Sequence, residues 1–135
     1  MNINNDAIIK SIKTLHDAIE TIFTLSTLST EALDSIKTYL SADFSMVGLS
    51  GKVVSYNEVI SLFKQNAGKR SSLKIETDEY KIIYQSDCLA AVRYRETHYE
   101  NKKILMRQSM VLLRRNSQND DWQWYYLHET PITNN

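Results

Sequence analysis

The sequence contains one cysteine, one proline and three glycines among its 135 residues. An intrachain disulfide needs two cysteines, and a cysteine-based zinc cluster needs more than one, so neither can form. Cys88 begins the strand-like segment 88–92, which predicts a buried thiol with a structural role. Because glycine and proline are scarce and no repeat or linker is visible, the secondary-structure elements must be closely joined.

Net charge and long apolar runs are also lacking. The 16 basic residues balance 16 acidic ones, whereas nucleic-acid binding depends on positive charge concentrated on one face, so no nucleic-acid partner is expected. The longest apolar runs, such as residues 110–113, are far shorter than a bilayer span, so no membrane segment is expected either. Residues 1–6 have neither the basic start nor the apolar stretch of a secretory signal, and we expect a cytoplasmic protein.

The remaining composition is that of a globular chain, with 42% hydrophobic and 24% charged residues. This length suits one hydrophobic core and is too short for two ordinary domains, so residues 1–135 are expected to form a single domain. No motif requires a cofactor. The three histidines, His16, His98 and His128, are too dispersed for a metal site, and His16 is predicted to be solvated beside the apolar stripe of its helix.

Three helices are predicted in the first half of the chain. Apolar residues spaced three and four apart predict a first helix over residues 6–25, and Ser29 or Thr30 is a suitable N-cap for a second helix ending at Leu40. Ser55 and Glu58 fit a capping box at the start of a third helix, which is closed by Gly68.

Strands dominate the second half. Residues 43–54 predict a short hairpin, and three long stretches rich in β-branched and aromatic residues, 73–85, 88–100 and 104–115, predict an antiparallel meander. A last strand covers residues 122–130 and ends at Pro131. This order predicts an α+β fold in which three N-terminal helices pack inside a strongly bent antiparallel sheet.

Residues at the ends of these elements resemble a known superfamily. They are the segment Asp43-Phe44-x-x-x-Gly48-x-Ser50-Gly51, the pair Tyr94-Arg95, the motif Arg107-x-Ser109, and the closing Trp122-Gln-x-x-x-x-His128 with Thr130-Pro131. In this order they resemble the nuclear transport factor 2-like superfamily over nearly the whole chain, in particular an uncharacterised, SnoaL-like branch. The resemblance implies a cone-shaped fold, and none of these motifs is a catalytic signature.

Two segments, 88–95 and 122–130, are also similar to the association domain of calcium/calmodulin-dependent kinase II, where arginines of these strands line a pocket. The sequence departs from the uncharacterised branch at two places. Met46 stands where a glutamate is usual, and Glu129 stands where a glutamine is usual. An acidic group is therefore lost on the first hairpin and gained on the last strand.

The register of the two longest strands follows from a two-residue turn at residues 101–102. Arg95 then lies opposite Gln108, and Arg93 lies opposite Met110. On the other face, Glu96 would lie opposite Arg107 as a cross-strand ion pair.

The resemblance to the kinase II association domain implies that the face carrying Arg93 is concave. The predicted pocket has polar groups set in apolar walls, and its guanidinium groups would suit a small carboxylate or an enolisable ligand. The predicted polar residues are Arg93, Arg95, Gln108, Tyr125 and Glu129, and the predicted walls are Phe44, Met46, Phe63, Met110, Leu112 and Leu127.

The role of Glu129 has two interpretations. Glu129 and Arg93 could pair with each other and bind nothing, because buried charges persist only when paired. Alternatively, Glu129 could serve as the base of a cofactor-free isomerase, cyclase or lyase, which requires it to lie apart from Arg93 and Arg95.

The opposite face of the last strand is predicted to carry Trp122, Trp124, Tyr126 and His128. Exposed together, these side chains would form a large apolar patch, so the sequence predicts a homodimer formed through this face. Three classes of function remain open: a small-molecule-binding domain, which we favour, a cofactor-free enzyme, and an association domain.

Overall fold

The computed structural model describes residues 3–133, with side chains from residue 5 onward. The helices are α1 (Ile3–Thr24), α2 (Thr30–Tyr39) and α3 (Tyr56–Gln65). The strands are β1 (Leu40–Val47), β2 (Val53–Ser55), β3 (Lys74–Gln85), β4 (Leu89–Glu100), β5 (Lys103–Arg114) and β6 (Gln123–Pro131). The α+β fold is confirmed, and every predicted helix and strand is present.

The six strands form one sheet in the order β2-β1-β6-β5-β4-β3. All neighbours are antiparallel except β1 and β6, which run parallel, so the prediction of a wholly antiparallel sheet is wrong. Hairpin turns force the sequential pairs to be antiparallel, but β1 and β6 are far apart in the chain and no turn fixes their relative direction. The sheet curves around the helices as an open cone.

Local sequence signals set the helix starts. Ser29 caps α2 by accepting a hydrogen bond from the Ala32 amide. At α3 the predicted capping box is confirmed: the Glu58 amide donates to Ser55 Oγ at 3.3 Å, and the Ser55 amide donates to Glu58 Oε1 at 3.2 Å. These caps satisfy amides that would otherwise lack partners in the first turn.

The β4–β5 hairpin has the predicted register. Asn101 and Lys102 both have positive φ, as a two-residue turn of this kind requires, and Arg95 lies opposite Gln108. Burial shows which face is concave. Val92 and Tyr94 are fully buried against the helices, whereas Arg93 between them is exposed, so the face predicted to line the pocket is the convex one.

An irregularity in β6 reverses the predicted orientation of its first half. Leu112 pairs with Tyr126 but Leu113 pairs with Trp124, so Tyr125 is an extra residue. As a result Trp124 and Leu127 both face the core, which strict alternation would forbid. Trp122 and Trp124 are only 4% and 1% exposed, and the prediction that they lie at a dimer interface is therefore wrong.

Cys88 is exposed in the connection that precedes β4, so the prediction of a buried thiol is also wrong. The strand begins one residue later than predicted, and the Cys88 Sγ atom lies 3.7 Å from the Asn116 carbonyl oxygen. Among residues 3–133, none of the helices combines the length and the apolar composition needed to span a bilayer.

Candidate functional site

A cavity of about 400 Å³ lies between the three helices and the concave face of the sheet. Its walls are mostly apolar and aromatic. The helices contribute Leu15, Phe23 and Phe63, and the strands contribute Phe44, Met46 and Leu127. Leu62, which also lines the cavity, is 48% exposed, so this part of α3 lies where the cavity meets solvent.

Ionisable side chains cluster at one end of the cavity. They are His16 from α1, Glu96 and His98 from β4, Arg107 from β5 and Glu129 from β6. Alternation along β4 places Glu96 and His98 on the same face as Val92 and Tyr94, and pairing across the sheet brings Arg107 opposite Glu96. The cavity thus has one polar end and apolar walls.

His16 and Glu96 form a buried ion pair. His16 Nδ1 donates to the Ile12 carbonyl oxygen at 2.8 Å, and His16 Nε2 donates to Glu96 Oε1 at 3.0 Å. A backbone carbonyl and a carboxylate both accept, so both ring nitrogens carry hydrogen and the ring is an imidazolium. Burial opposes this charge, but the Glu96 charge and hydrogen bond outweigh burial and raise the pKa of His16.

Glu96 also accepts a hydrogen bond from His98. His98 Nε2 lies 2.5 Å from Glu96 Oε2. Burial alone would raise the pKa of Glu96, but the charge and hydrogen bond of His16, together with His98 and Arg107, hold the pKa well below its usual range. Glu96 is therefore an ionised carboxylate fixed from two sides.

His98 connects this buried pair to the rim of the cavity. Its Nδ1 atom lies 3.5 Å from Arg70 Nη2, and a guanidinium only donates, so Nδ1 accepts. With its proton on Nε2, His98 is neutral in this arrangement. Arg70 is in turn held by Glu100 at 2.9 Å.

Glu129 is held more loosely, and its partner within the described part of the chain is Arg107. Arg107 Nη1 donates to Glu129 Oε1 at 3.4 Å and to Glu129 Oε2 at 3.3 Å. The Arg107 side chain is 15% exposed, and the Glu129 side chain is 7% exposed. Burial and the nearby Glu96 charge raise the pKa of Glu129, and Arg107 only partly offsets them. Within residues 3–133 the buried Nε of Arg107 has no hydrogen-bond partner.

Five residues of the predicted pocket line the observed cavity: Phe44, Met46, Phe63, Leu127 and Glu129. The others do not, and those on β4 and β5 face away from it because the concave face is the other face of the sheet. Arg93, Gln108 and Met110 are exposed on the convex side, and Arg95 pairs there with Asp78 and Glu79 at 2.7 Å. The Arg114 guanidinium lies 4.9 Å from the centre of the Tyr125 ring, away from the cavity.

The internal pair predicted for Glu129 has a different partner. Glu129 contacts Arg107 and not Arg93, which points the other way. The predicted cross-strand pair between Glu96 and Arg107 does not form directly among the described residues, because Glu96 is held by the two histidines. The charge of Arg107 nevertheless helps to lower the pKa of Glu96.

Sequence reasoning missed His16, Glu96, His98 and Arg107 as site residues. For His16 the prediction of a solvated side chain is wrong, since the residue is 4% exposed. A signal was present, because His16 continues the four-residue spacing of Ile8 and Ile12 and therefore lies on their ridge. Tyr126 and His128 do face outward, where Tyr126 Oη lies 2.7 Å from His128 Nδ1.

No group of three or more His, Cys, Asp or Glu side chains within residues 3–133 is arranged to hold a metal ion. Glu96 illustrates why, because each of its oxygens is already bonded to a different histidine. The site as built consists of hydrogen-bonded acids and bases around an apolar space.

No protein-family model and no curated protein matches the sequence. Solved structures do match. A nuclear transport factor 2-like protein of unknown function from Pseudomonas aeruginosa is 28% identical, with a TM-score of 0.87 over 94% of this chain and 99% of that one.

Two more distant structures share the fold. A ketosteroid isomerase-like protein from Erwinia carotovora atroseptica is 13% identical, with a TM-score of 0.71 over 99% of this chain and 100% of that one. The association domain of calcium/calmodulin-dependent kinase II from Caenorhabditis elegans is 11% identical, with a TM-score of 0.73 over 94% of this chain and 95% of that one.

Proposed function

We propose that this chain, which has the nuclear transport factor 2-like fold, binds a small molecule with an apolar body and one polar end. The observation that carries the proposal is the separation inside the cavity: apolar walls on most sides and ionisable groups at one end only. Ligand sites typically combine an apolar cavity with a few convergent polar groups, and about 400 Å³ is a volume of the usual size.

The polar end favours an oxygen-bearing group. Arg107 offers guanidinium donors, and among the residues that the structure describes its carboxylate contacts, to Glu129, are long. Planar guanidinium donors suit the oxygens of a carboxylate or an enolate. A small carboxylate and an enolisable carbonyl compound are therefore the candidate ligands.

Filling the cavity should abolish binding. Binding can be tested with four probes, titrated by isothermal calorimetry: octanoate, 4-phenylbutyrate and the primary amides of both. We expect at least one probe to bind with a Kd below about 1 mM, an affinity of roughly 4 kcal/mol. Met46→Trp, which puts an indole into the cavity, should abolish that binding.

A matched control is Ala42→Trp, on the same strand but exposed and away from the cavity lining. This variant should bind as the wild type does. Equal binding by both variants, or binding of none of the four probes to the wild-type chain, would contradict the proposal.

One observation favours catalysis at this same site. Glu129 is buried beside the cavity with a raised pKa, which suits a general base working near neutral pH. Arg107, 3.3 Å away, would stabilise negative charge developing on an enolate oxygen. Binding and cofactor-free isomerase, cyclase or lyase chemistry thus share one set of residues, and they differ in whether a bound carbonyl compound is converted.

We also propose that the chain forms a homodimer through the convex face of the sheet. A row of side chains crosses four strands there, since Met110 pairs with His128, His128 with Val47, and Val47 with Val53. Met110 and Val53 are 40% and 67% exposed, and Tyr126 lies beside this row. A second copy would cover these apolar side chains. One of the similar structures is an association domain.

A charge in this row should separate the two copies. Met110→Glu would bury an unpaired carboxylate at the interface, so we expect association to weaken by about 2 kcal/mol or more. Light scattering at micromolar concentration should then give a monomer mass for the variant and a dimer mass for the wild type. Ile83→Glu, at an exposed apolar residue of edge strand β3, is the control and should remain dimeric. A monomeric wild-type chain would refute the dimer.

A further inference from the structure

The polar end of the cavity is balanced in charge before any ligand enters. The groups that face Glu129 are His16 from α1, Glu96, His98 and Tyr94 from β4, and Arg107 from β5, with Arg70 at the rim. The hydrogen bonds make His16 a cation and leave His98 neutral. Two cations, His16 and Arg107, therefore balance two carboxylates.

A carboxylate ligand would upset this balance. It would add a third buried negative charge against two cations, and an uncompensated charge in an apolar cavity is strongly disfavoured. Burying the ligand's charge therefore requires a proton to be taken up at this end, by one of the two carboxylates or by the neutral His98. On His98 the proton would go to Nδ1, which lies 3.5 Å from the Arg70 guanidinium, so two donors would face each other there. The hydrogen bonds also decide between the two carboxylates.

Glu96 is the less suitable proton acceptor. It accepts from His16 at 3.0 Å and from His98 at 2.5 Å, and protonation would turn one of these contacts into a clash of donors. Within residues 5–133, whose side chains are described, Glu129 has only the long contacts to Arg107, at 3.3 and 3.4 Å. A proton on Glu129 therefore costs the least hydrogen bonding.

We propose that the cavity binds a carboxylate together with one proton, which Glu129 takes up from solvent. Arg107 then exchanges Glu129 for the ligand, using the buried Nε that lacks a partner within residues 3–133 together with a terminal nitrogen. The neutral Glu129 carboxyl becomes a donor beside the bound carboxylate. The proposal rests on the proposed binding function and adds its ligand class and its pH dependence.

The electrostatics of the unliganded chain agree with this assignment. Burial and the Glu96 charge already raise the pKa of Glu129, whereas Glu96 is held ionised. A ligand carboxylate would raise the pKa of Glu129 further. By linkage, carboxylate affinity should be greatest at low pH and fall as pH rises through the pKa of Glu129 in the free protein.

Calorimetry tests the coupling directly on the wild-type chain. Octanoate and 4-phenylbutyrate are titrated from about pH 6 to about pH 9, each in two buffers of different ionisation enthalpy. We expect uptake approaching one proton per carboxylate bound, and an affinity that falls toward tenfold per pH unit. The matching amides should bind with no proton uptake and no comparable pH dependence.

Glu129→Gln places a neutral isostere where the proton is proposed to go. In this variant, carboxylate binding should take up no proton and lose its pH dependence, and at about pH 8 it should be tighter than in the wild type by roughly tenfold. Glu79→Gln, which removes an exposed carboxylate on the convex face, is the matched control and should retain the coupling.

The outcomes separate this proposal from the function on which it rests. If acids and amides bind alike, without proton uptake, the coupling is refuted and the binding function stands. If neither class binds, both are refuted. Persistent pH dependence in Glu129→Gln would overturn the assignment of the proton to Glu129. If that variant fails to fold, the wild-type proton count still tests the coupling, and a count of zero would refute it.

Discussion

Replacing His16 with leucine should destabilise the chain by about 3 to 5 kcal/mol. The variant keeps a buried carboxylate at Glu96 but removes the imidazolium that balances it 3.0 Å away. His98 remains as a neutral donor, and the charge of Arg107 acts only at longer range. Equilibrium unfolding in urea would measure the loss.

Glu96→Gln should cost far less than His16→Leu. Its amide nitrogen can donate to a neutral His16, and its oxygen can still accept from His98, so no buried group loses its partner. The double variant, His16→Leu with Glu96→Gln, should therefore lose less stability than the two single losses add up to. In the double variant no carboxylate is left at residue 96, so losing the His16 imidazolium no longer leaves a buried charge unpaired. Additive losses would contradict a buried ion pair.

An exposed ion pair provides the control for these changes. Arg95→Gln breaks the contact with Asp78 on the convex face, where both groups remain hydrated, and should cost less than about 1 kcal/mol. The penalty in His16→Leu should also shrink as pH falls, and it should begin to shrink above the ordinary carboxyl pKa, because burial without His16 raises the pKa of Glu96 in the folded variant.

Trp124→Ala should be comparably damaging, at about 3 to 5 kcal/mol. The indole is 1% exposed, packs 5.8 Å from the His16 ring and 6.3 Å from the Tyr94 ring, and donates from Nε1 to Ser11 Oγ at 3.2 Å. Truncation would remove this packing and enlarge the cavity. Thermal or urea unfolding would measure the effect.

Two neighbouring substitutions calibrate the result. Trp124→Phe keeps an aromatic ring and should recover much of the loss. Tyr126→Ala, two residues along on the convex side, should cost less than Trp124→Ala when both are compared as monomers, because Tyr126 is only half-buried. A larger loss of stability in Tyr126→Ala than in Trp124→Ala would contradict the orientation of β6, in which Trp124 faces the core and Tyr126 faces outward.

Local signals predicted the elements and the β4–β5 register. A capping box, a two-residue turn and runs of β-branched residues act over a few positions, so Ser55, Asn101 and their neighbours were sufficient. The same register correctly placed Arg95 opposite Gln108. What failed was the choice of the concave face.

Strand β4 shows why that choice could not be read from the pattern. Period-two alternation normally marks the buried face as the apolar one. In β4 both faces carry charged residues, Arg93 and Arg95 on one side and Glu96 and His98 close to Val92 and Tyr94 on the other. Because the concave face carries the charged end of the cavity, the two faces of β4 do not differ in polarity, and the prediction depends on that difference.

The sequence by itself determined the three helices, the six strands, the register of the β4–β5 hairpin and the α+β class, because each depends on residues close together in the chain. Only the tertiary structure decided that β1 and β6 run parallel, that Tyr125 is an extra residue, and that His16 meets Glu96. These contacts join residues up to about eighty positions apart, and burial is what makes them strong.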